Sequence, residues 1–316
     1  MRYRNLGNSG LKVSELALGA WFREDLSYDK NSINRLLGEA LEQGVNLIDL
    51  ADIYGQGETE SLYGEVLKDY PRHQLVISSK CFWPMSEGAN DRGLSRKHIM
   101  ESVHASLKRL QSDYLDLYLC HAEDQETPLE ETVRAMADLI RCGDILYWGV
   151  CSWRQHSLFE LIQLCDQLNA PRPICHQIPY NLIESYPERE LLNTSARLGL
   201  GVQAWSPFAG GVLARGLKQN LNSTQAQSNS TLDALWRLQA NEKKSLEEYQ
   251  RSFEAYAAEA SMSCAQLALA WILRREEVSS IILGVSSLEQ LVDNLKGLQR
   301  TVSPRILDGL SELFNN

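Results

Sequence analysis

The sequence predicts a (β/α)8 barrel preceded by a β-hairpin. Three observations point there. Short apolar segments alternate with amphipathic stretches eight times over. No G-x-G-x-x-G turn follows an early strand, as an open, doubly wound sheet would require. Ionisable residues stand where successive apolar segments end, and a closed barrel gathers those ends at one mouth.

The elements follow in order. Residues 2–6 and 11–13 flank the turn Gly7-Asn8-Ser9-Gly10 and read as a hairpin. Strands are expected at 14–19, 46–50, 75–79, 115–120, 145–150, 174–178, 201–206 and 280–284. Between them, apolar residues recur every three or four positions, predicting helices at 32–43, 60–68, 97–110, 129–141, 157–168, 188–197 and 252–274. A last helix at 287–296 completes the eighth unit. Parallel strands need crossover connections of one hand, so eight such units wind one way round and close. The runner-up, an open sheet, lacks its glycine turn: Gly55-Gln56-Gly57 follows a strand, but no third glycine falls at the required spacing. No repeat or interdomain linker divides the chain, so residues 1–316 read as a single barrel domain. The one low-complexity stretch, 220–230, reads as a mobile loop between the seventh strand and its helix.

Composition narrows the function. With 316 residues the chain can bury a large core and needs no disulfide or structural metal. Its formal charge of −10 argues against nucleic acid or an anionic membrane as a partner. Seven cysteines, none in a C-x-x-C pair, read as buried thiols in a reducing compartment. No membrane-length apolar run and no secretory leader pattern is visible, so the cytoplasm is the expected location.

Four residues carry the chemistry. Asp49 closes the second strand, Tyr54 lies in the loop beyond it, Lys80 ends the third strand and His121 ends the fourth. Each alone has an ordinary reading as a cap, a packed aromatic, a solvated cation or a core histidine. Together, at the ends of three consecutive strands, they suit carbonyl reduction. Hydride addition builds negative charge on oxygen, which must receive a proton. A phenol at neutral pH is a protonated but sluggish acid, and a neighbouring ammonium improves it. Lys80 supplies that charge, Asp49 pairs with Lys80, and His121 could donate to the carbonyl, orient it or relay a proton. One histidine at a strand end is too few for a metal cage, even with Asp124 nearby, so no metal is expected.

At these residues the chain resembles the aldo-keto reductase family. Asn46-Leu-Ile-Asp-Leu-Ala-Asp-Ile-Tyr-Gly55 is similar to its Asp-x-Ala-x-x-Tyr-Gly signature. Ile77-Ser-Ser-Lys80 resembles its lysine strand and Asp116-Leu-Tyr-Leu-Cys-His121 its histidine strand. Trp205-Ser-Pro-Phe-Ala-Gly-Gly211 and Ile282-Leu-Gly-Val-Ser-Ser287 resemble two late cofactor motifs. The resemblance implies a (β/α)8 barrel, NADPH bound without a Rossmann fold, and a catalytic tetrad of Asp49, Tyr54, Lys80 and His121. Within the family the chain resembles the branch of the voltage-gated potassium channel β subunits, through Gly93-Leu-Ser-Arg-Lys-His-Ile99, Thr127-Pro-Leu-Glu-Glu-Thr-Val-Arg-Ala-Met136 and Tyr147-Trp-Gly149. Those subunits tend to carry asparagine where this chain has His121, which tilts the expectation to an enzyme. That branch commonly forms tetramers, which implies a homo-oligomer.

The resemblance also implies cofactor residues. Cys151, Ser152 and Gln177 match the positions that hold the nicotinamide carboxamide, and Cys151 replaces a usual serine. Trp205 matches the aromatic that stacks on the nicotinamide. Ser206, Phe208 and Gly210 match the pyrophosphate loop, and Gly284, Ser286, Gln290, Asp293 and Asn294 the adenosine end. Gln290 and Asn294, four apart on one helical face, could both address one ring. Relatives often place a lysine at Gly216 to meet the 2′-phosphate; here Arg215 or Lys218 could substitute, and if neither does, NADH competes with NADPH. Trp21 and Trp83, with Phe82 and Tyr118, are candidates to line the substrate mouth.

Overall fold

The computed structural model describes residues 1–20, 29–215 and 245–315. Two antiparallel strands open the chain, β1 (Tyr3–Asn5) and β2 (Lys12–Ser14). Eight parallel strands follow: β3 (Leu16–Gly19), β4 (Leu47–Asp49), β5 (Val76–Cys81), β6 (Leu115–Cys120), β7 (Ile145–Cys151), β8 (Cys175–Pro179), β9 (Gly201–Trp205) and β10 (Val278–Leu283). They pair in sequence order, and β10 closes on β3 through Ile281↔Leu16 to Leu283↔Leu18. The predicted (β/α)8 TIM-type barrel and its hairpin are both present.

Helices clothe the barrel: α1 (Lys30–Glu42), α2 (Glu58–Leu67), α3 (Arg96–Leu110), α4 (Leu129–Cys142), α5 (Gln155–Gln167), α6 (Leu191–Arg197) and the short α7 (Val212–Arg215). After them come α8 (Leu246–Glu259), α9 (Cys264–Leu273), α10 (Leu288–Gly297) and α11 (Pro304–Asn315). Strand alternation sorts the core into two shells. Inside the barrel lie Ala17, Leu47, Val76, Leu117, Leu119, Cys175 and Ile282. Between strands and helices lie Ile48, Ile77, Tyr118, Cys120, Val202 and Ala204, with the apolar faces of the helices.

Two expectations change. The single helix expected over 252–274 is two. Ser261 takes a left-handed φ of 54°, and Ser263 starts α9 with a capping box to Gln266. The sequence reading also stopped short of α11, which stacks Phe314 on Tyr249 and lends Ser311 to the Trp271 indole N–H at 2.9 Å. The 220–230 stretch lies outside the described residues.

The hairpin seals the end of the barrel opposite the mouth. Leu6 and Val13 join the interior cluster. Gly7, at φ 57°, sits so close that a Cβ would stand 2.3 Å from the Gly199 carbonyl oxygen and 2.6 Å from the Gly201 nitrogen and Ile174 oxygen. All three are backbone atoms and cannot swing aside. Gly7→Ala is therefore expected to destabilise the protein by about 2–4 kcal/mol, combining overpacking with left-handed strain. A urea midpoint that does not move would contradict this.

Candidate active site

The mouth is built where β4, β5 and β6 end. On β5, alternation turns Ser78 and Lys80 inward and Ser79 outward, where it donates to Glu60 of α2. Lys80 lies one residue before the strand's end, not at it, and is fully buried. Its ammonium donates to Asp49 Oδ2 at 2.7 Å, to the Leu50 carbonyl at 2.6 Å and to Tyr54 Oη at 3.4 Å. Asp49 is held in turn: its Oδ1 accepts from Ser78 Oγ at 2.6 Å and from Gln177 Nε2 at 3.1 Å. Tyr54 opens a 3-10 turn, Tyr54–Gly57, in which Gly55 and Gln56 take left-handed φ values of 58° and 53°. His121 follows β6 directly, its ring edge-on to Tyr54 at 6.0 Å and to Trp83 at 6.3 Å between centroids. The four residues singled out in the sequence therefore meet at one place.

Burial and neighbouring charges shift Lys80, Tyr54 and His121. Burial opposes the Lys80 charge, but Asp49 and then Tyr54 outweigh it and raise its pKa above the ordinary lysine value. Burial pushes the Tyr54 phenol above 10 even though Lys80 pulls it down, so Lys80 tempers a raised pKa without reversing it. His121 is pushed down to about 3, first by burial and then by Lys80, and stays neutral at pH 7. That disfavours a protonated His121 as a proton relay and leaves the roles of hydrogen-bond donor and orienting group. Its Nδ1 is buried without a partner among the described residues.

One carboxylate beneath this site escaped the sequence reading. Asp52 is fully buried, and its oxygens find no hydrogen-bond partner among the described residues. Burial and the neighbouring Glu60 raise its pKa to about 7, against weaker pulls from the Ile53 amide, Arg109 and Lys80. A carboxyl raised on folding contributes stability that is full below its unfolded pKa and lost as pH rises through the folded value. Asp52→Asn is thus expected to raise Tm by a few degrees at pH 8 and by clearly less at pH 4.5, read by thermal melts; equal shifts at both would contradict it.

The model of the aldo/keto reductase family matches residues 15–312. The chain belongs to the aldo/keto reductase family. It is 38% identical over 323 residues to a probable voltage-gated potassium channel subunit beta of Oryza sativa subsp. japonica, covering 100% of this chain and 97% of that protein. It is 36% identical over 324 residues to a protein of the same description from Arabidopsis thaliana, again covering 100% and 97%.

Aldo/keto reductases are oxidoreductases that typically bind NAD(P)H, and the residues around this mouth fit such a dinucleotide. Gln177, Gln203 and Trp205 converge from β8 and β9, and Gln203 Nε2 and Trp205 Nε1 are buried without partners among the described residues. Ser206, Ala209, Gly210 and Gly211 all take positive φ, from 48° to 94°, a backbone run suited to turning amides toward an anion. Phe208 is half-buried in that turn. Cys151 is buried and pushed up to about 11, so it presents a neutral thiol, 3.7 Å from the Ser152 hydroxyl. Gly284 is exposed with open space where a side chain would stand.

The adenosine positions are less uniform. The Gln290 amide oxygen accepts from the Ser286 N–H and hydroxyl at 3.1 and 3.0 Å. Asp293 is taken by Ser263 and Gln266, which ties α10 to α9. Asn294 is buried while Gln290 is exposed, so the two do not open equally to a ligand. Arg215 closes α7, and Gly216, Lys218 and Trp21 lie outside the described residues. Trp83 is 43% exposed at the rim with Phe82 against it, but Tyr118 faces the helices, fully buried, and does not line the mouth. Asp124 caps local turns through the Leu94 and Glu126 amides and the Thr127 hydroxyl. Among the described residues no helix is long and apolar enough to cross a membrane.

Sequence reasoning missed Ser78 and Gln203. Both signals were present: Ser78 is two residues from Lys80 and Gln203 two from Trp205, hence on the same strand faces.

Proposed function

We propose that this chain is an NADPH-dependent carbonyl reductase acting on aldehydes or ketones. The observation that carries the reading is the Tyr54 hydroxyl 3.4 Å from a fully buried Lys80 ammonium paired with Asp49. The nicotinamide, when bound, supplies the hydride. Tyr54 gives its phenolic proton to the carbonyl oxygen as charge builds there, and solvent later restores that proton. Lys80 stabilises the phenolate left behind, and Asp49 keeps Lys80 in place. Neutral His121 donates a hydrogen bond to the same oxygen and orients the substrate. Cys151, Ser152 and Gln177 hold the carboxamide, and Trp205 offers its indole face to the ring. Ser206, Phe208 and Gly210 take the pyrophosphate. Gly284, Ser286 and Gln290 form the adenosine end, backed by buried Asn294 and by Asp293, which ties α10 to α9. Trp83 and Trp21 border the substrate. Arg215 or Lys218 reads the 2′-phosphate; without one of them NADH serves as well.

The test is tryptophan quenching by NADPH and NADH, followed by loss of NADPH absorbance with a panel of aldehydes. Tight NADPH binding and turnover support the reading; absence of both sinks it. The names of the two plant relatives favour a second reading, a nucleotide-sensing regulatory subunit with slow turnover that docks on a channel. Rapid multiple turnover with no partner in a pull-down disfavours that reading. A cytoplasmic location, assembly into a homo-oligomer, and the lack of nucleic-acid or membrane binding belong to the same proposal.

A further inference from the structure

We propose that Asn181 is a positioning residue for the turn Ser206–Gly211: its side-chain amide reaches across from the loop after β8, grips the Ser206 carbonyl, and so holds the turn in the form that receives a pyrophosphate. The inference rests on the dinucleotide reading above and deepens it.

Asn181 is fully buried in the loop just past β8. Its Oδ1 accepts from the Ile183 N–H at 2.9 Å and from the Glu184 N–H at 2.8 Å. Both donors are backbone amides, so the oxygen must face them and the nitrogen must face away. The orientation of the side chain is thus set within its own loop. From there Nδ2 donates to the Ser206 carbonyl at 3.0 Å and to Glu184 Oε2 at 3.2 Å. All four hydrogen-bonding positions of the amide are used.

Ser206 needs such a hold. The backbone pairing beyond β8 and β9 reaches the Tyr180 N–H and the Trp205 carbonyl at 3.3 Å, and the Asn181 side chain takes the next carbonyl along. Ser206 has a φ of 55°, a conformation that residues other than glycine rarely adopt. Ala209, Gly210 and Gly211 follow with φ of 48°, 66° and 94°. The Ala209 N–H donates to the same Ser206 carbonyl at 3.0 Å, so the group that Asn181 grips is also the one that closes the turn. Once released, Ser206 is free to relax toward negative φ and to carry the following amides with it. An aspartate at 181 would accept from the same two loop amides. The fold of the loop therefore gives no reason for a nitrogen here. Glu184 is half-buried on a side chain that can swing, but the Ser206 carbonyl is backbone and needs a donor.

The test compares NADP+ with adenosine 2′-monophosphate, which carries the adenosine end but no pyrophosphate. Dissociation constants for both are measured by isothermal titration calorimetry on the full chain, for wild type, Asn181→Asp and Asn181→Ser. The aspartate keeps the acceptor for Ile183 and Glu184 and sets an oxygen against the Ser206 carbonyl. Its NADP+ affinity is expected to fall by roughly tenfold or more, the scale of a hydrogen bond lost with its acceptor left buried. Adenosine 2′-monophosphate is expected to stay within about twofold, because its site lies on other elements. Asn181→Ser keeps a hydroxyl for the loop but lacks the reach to Ser206. It is expected to show the same split, and it decides the case should the aspartate variant not fold. A merely structural role for Asn181 weakens both ligands alike, and that result overturns the proposal. So does an unchanged NADP+ affinity, which leaves the reductase reading standing. Wild type that fails to bind NADP+ overturns the dinucleotide reading and this inference with it.

Discussion

Tyr54→Phe is expected to lower aldehyde turnover by about 10²–10⁴-fold while leaving dinucleotide affinity within about twofold. The substitution removes one oxygen and keeps the ring that meets His121 edge-on. What is lost is the proton donor, a group engaged with the carbonyl oxygen only as charge develops there. Lys80 keeps Asp49 and the Leu50 carbonyl as partners, so the buried cation stays compensated and the fold is expected to persist. The pH dependence separates the roles further. His121 is pushed down to about 3, so wild-type turnover should show no inflection near 6.5, where an exposed histidine titrates. Steady-state rates from pH 5 to 9 check this. Full turnover by Tyr54→Phe would assign the proton to another group.

Lys80→Met is expected to act on stability and turnover together. Removing the ammonium leaves Asp49 buried, with Ser78 and Gln177 as donors but no cation. Breaking a buried pair in this way costs about 3–5 kcal/mol. Pairing the change with Asp49→Asn removes the stranded charge as well, so the double variant should be the more stable of the two. Turnover should stay low in both, by about 10²-fold or more, because neither stabilises a Tyr54 phenolate. Denaturant midpoints and rates, measured side by side, separate the effects. Recovered stability with recovered turnover would mean that Lys80 is structural only.

The barrel was legible in the sequence because each strand is short, apolar and bounded by turn residues, and because amphipathic helices intervene. The meeting of Asp49, Lys80 and His121 was legible because strand ends in a barrel converge, and Tyr54 joins them through the short turn that follows β4. Other features depend on packing that periodicity does not report. The buried Asp52 and Glu60 meet only once α2 docks on β5, and Arg109 reaches Glu60 from α3. The break at Ser261 lies in an apolar stretch whose period continues across it, and only the cap at Ser263 marks a new helix. Asp293 has the position of a ligand residue, but its carboxylate is used between helices.

The most direct test of the central claim follows deuterium. Wild-type protein is mixed under single-turnover conditions with NADPH bearing deuterium at the transferred position of C4 and an excess of an aromatic aldehyde, and the product alcohol is weighed by mass spectrometry. Direct hydride transfer predicts one deuterium on the former carbonyl carbon, appearing at the rate at which cofactor absorbance falls. An alcohol without the label, or no alcohol within the life of the bound cofactor, would contradict a reductase built on Asp49, Tyr54, Lys80 and His121.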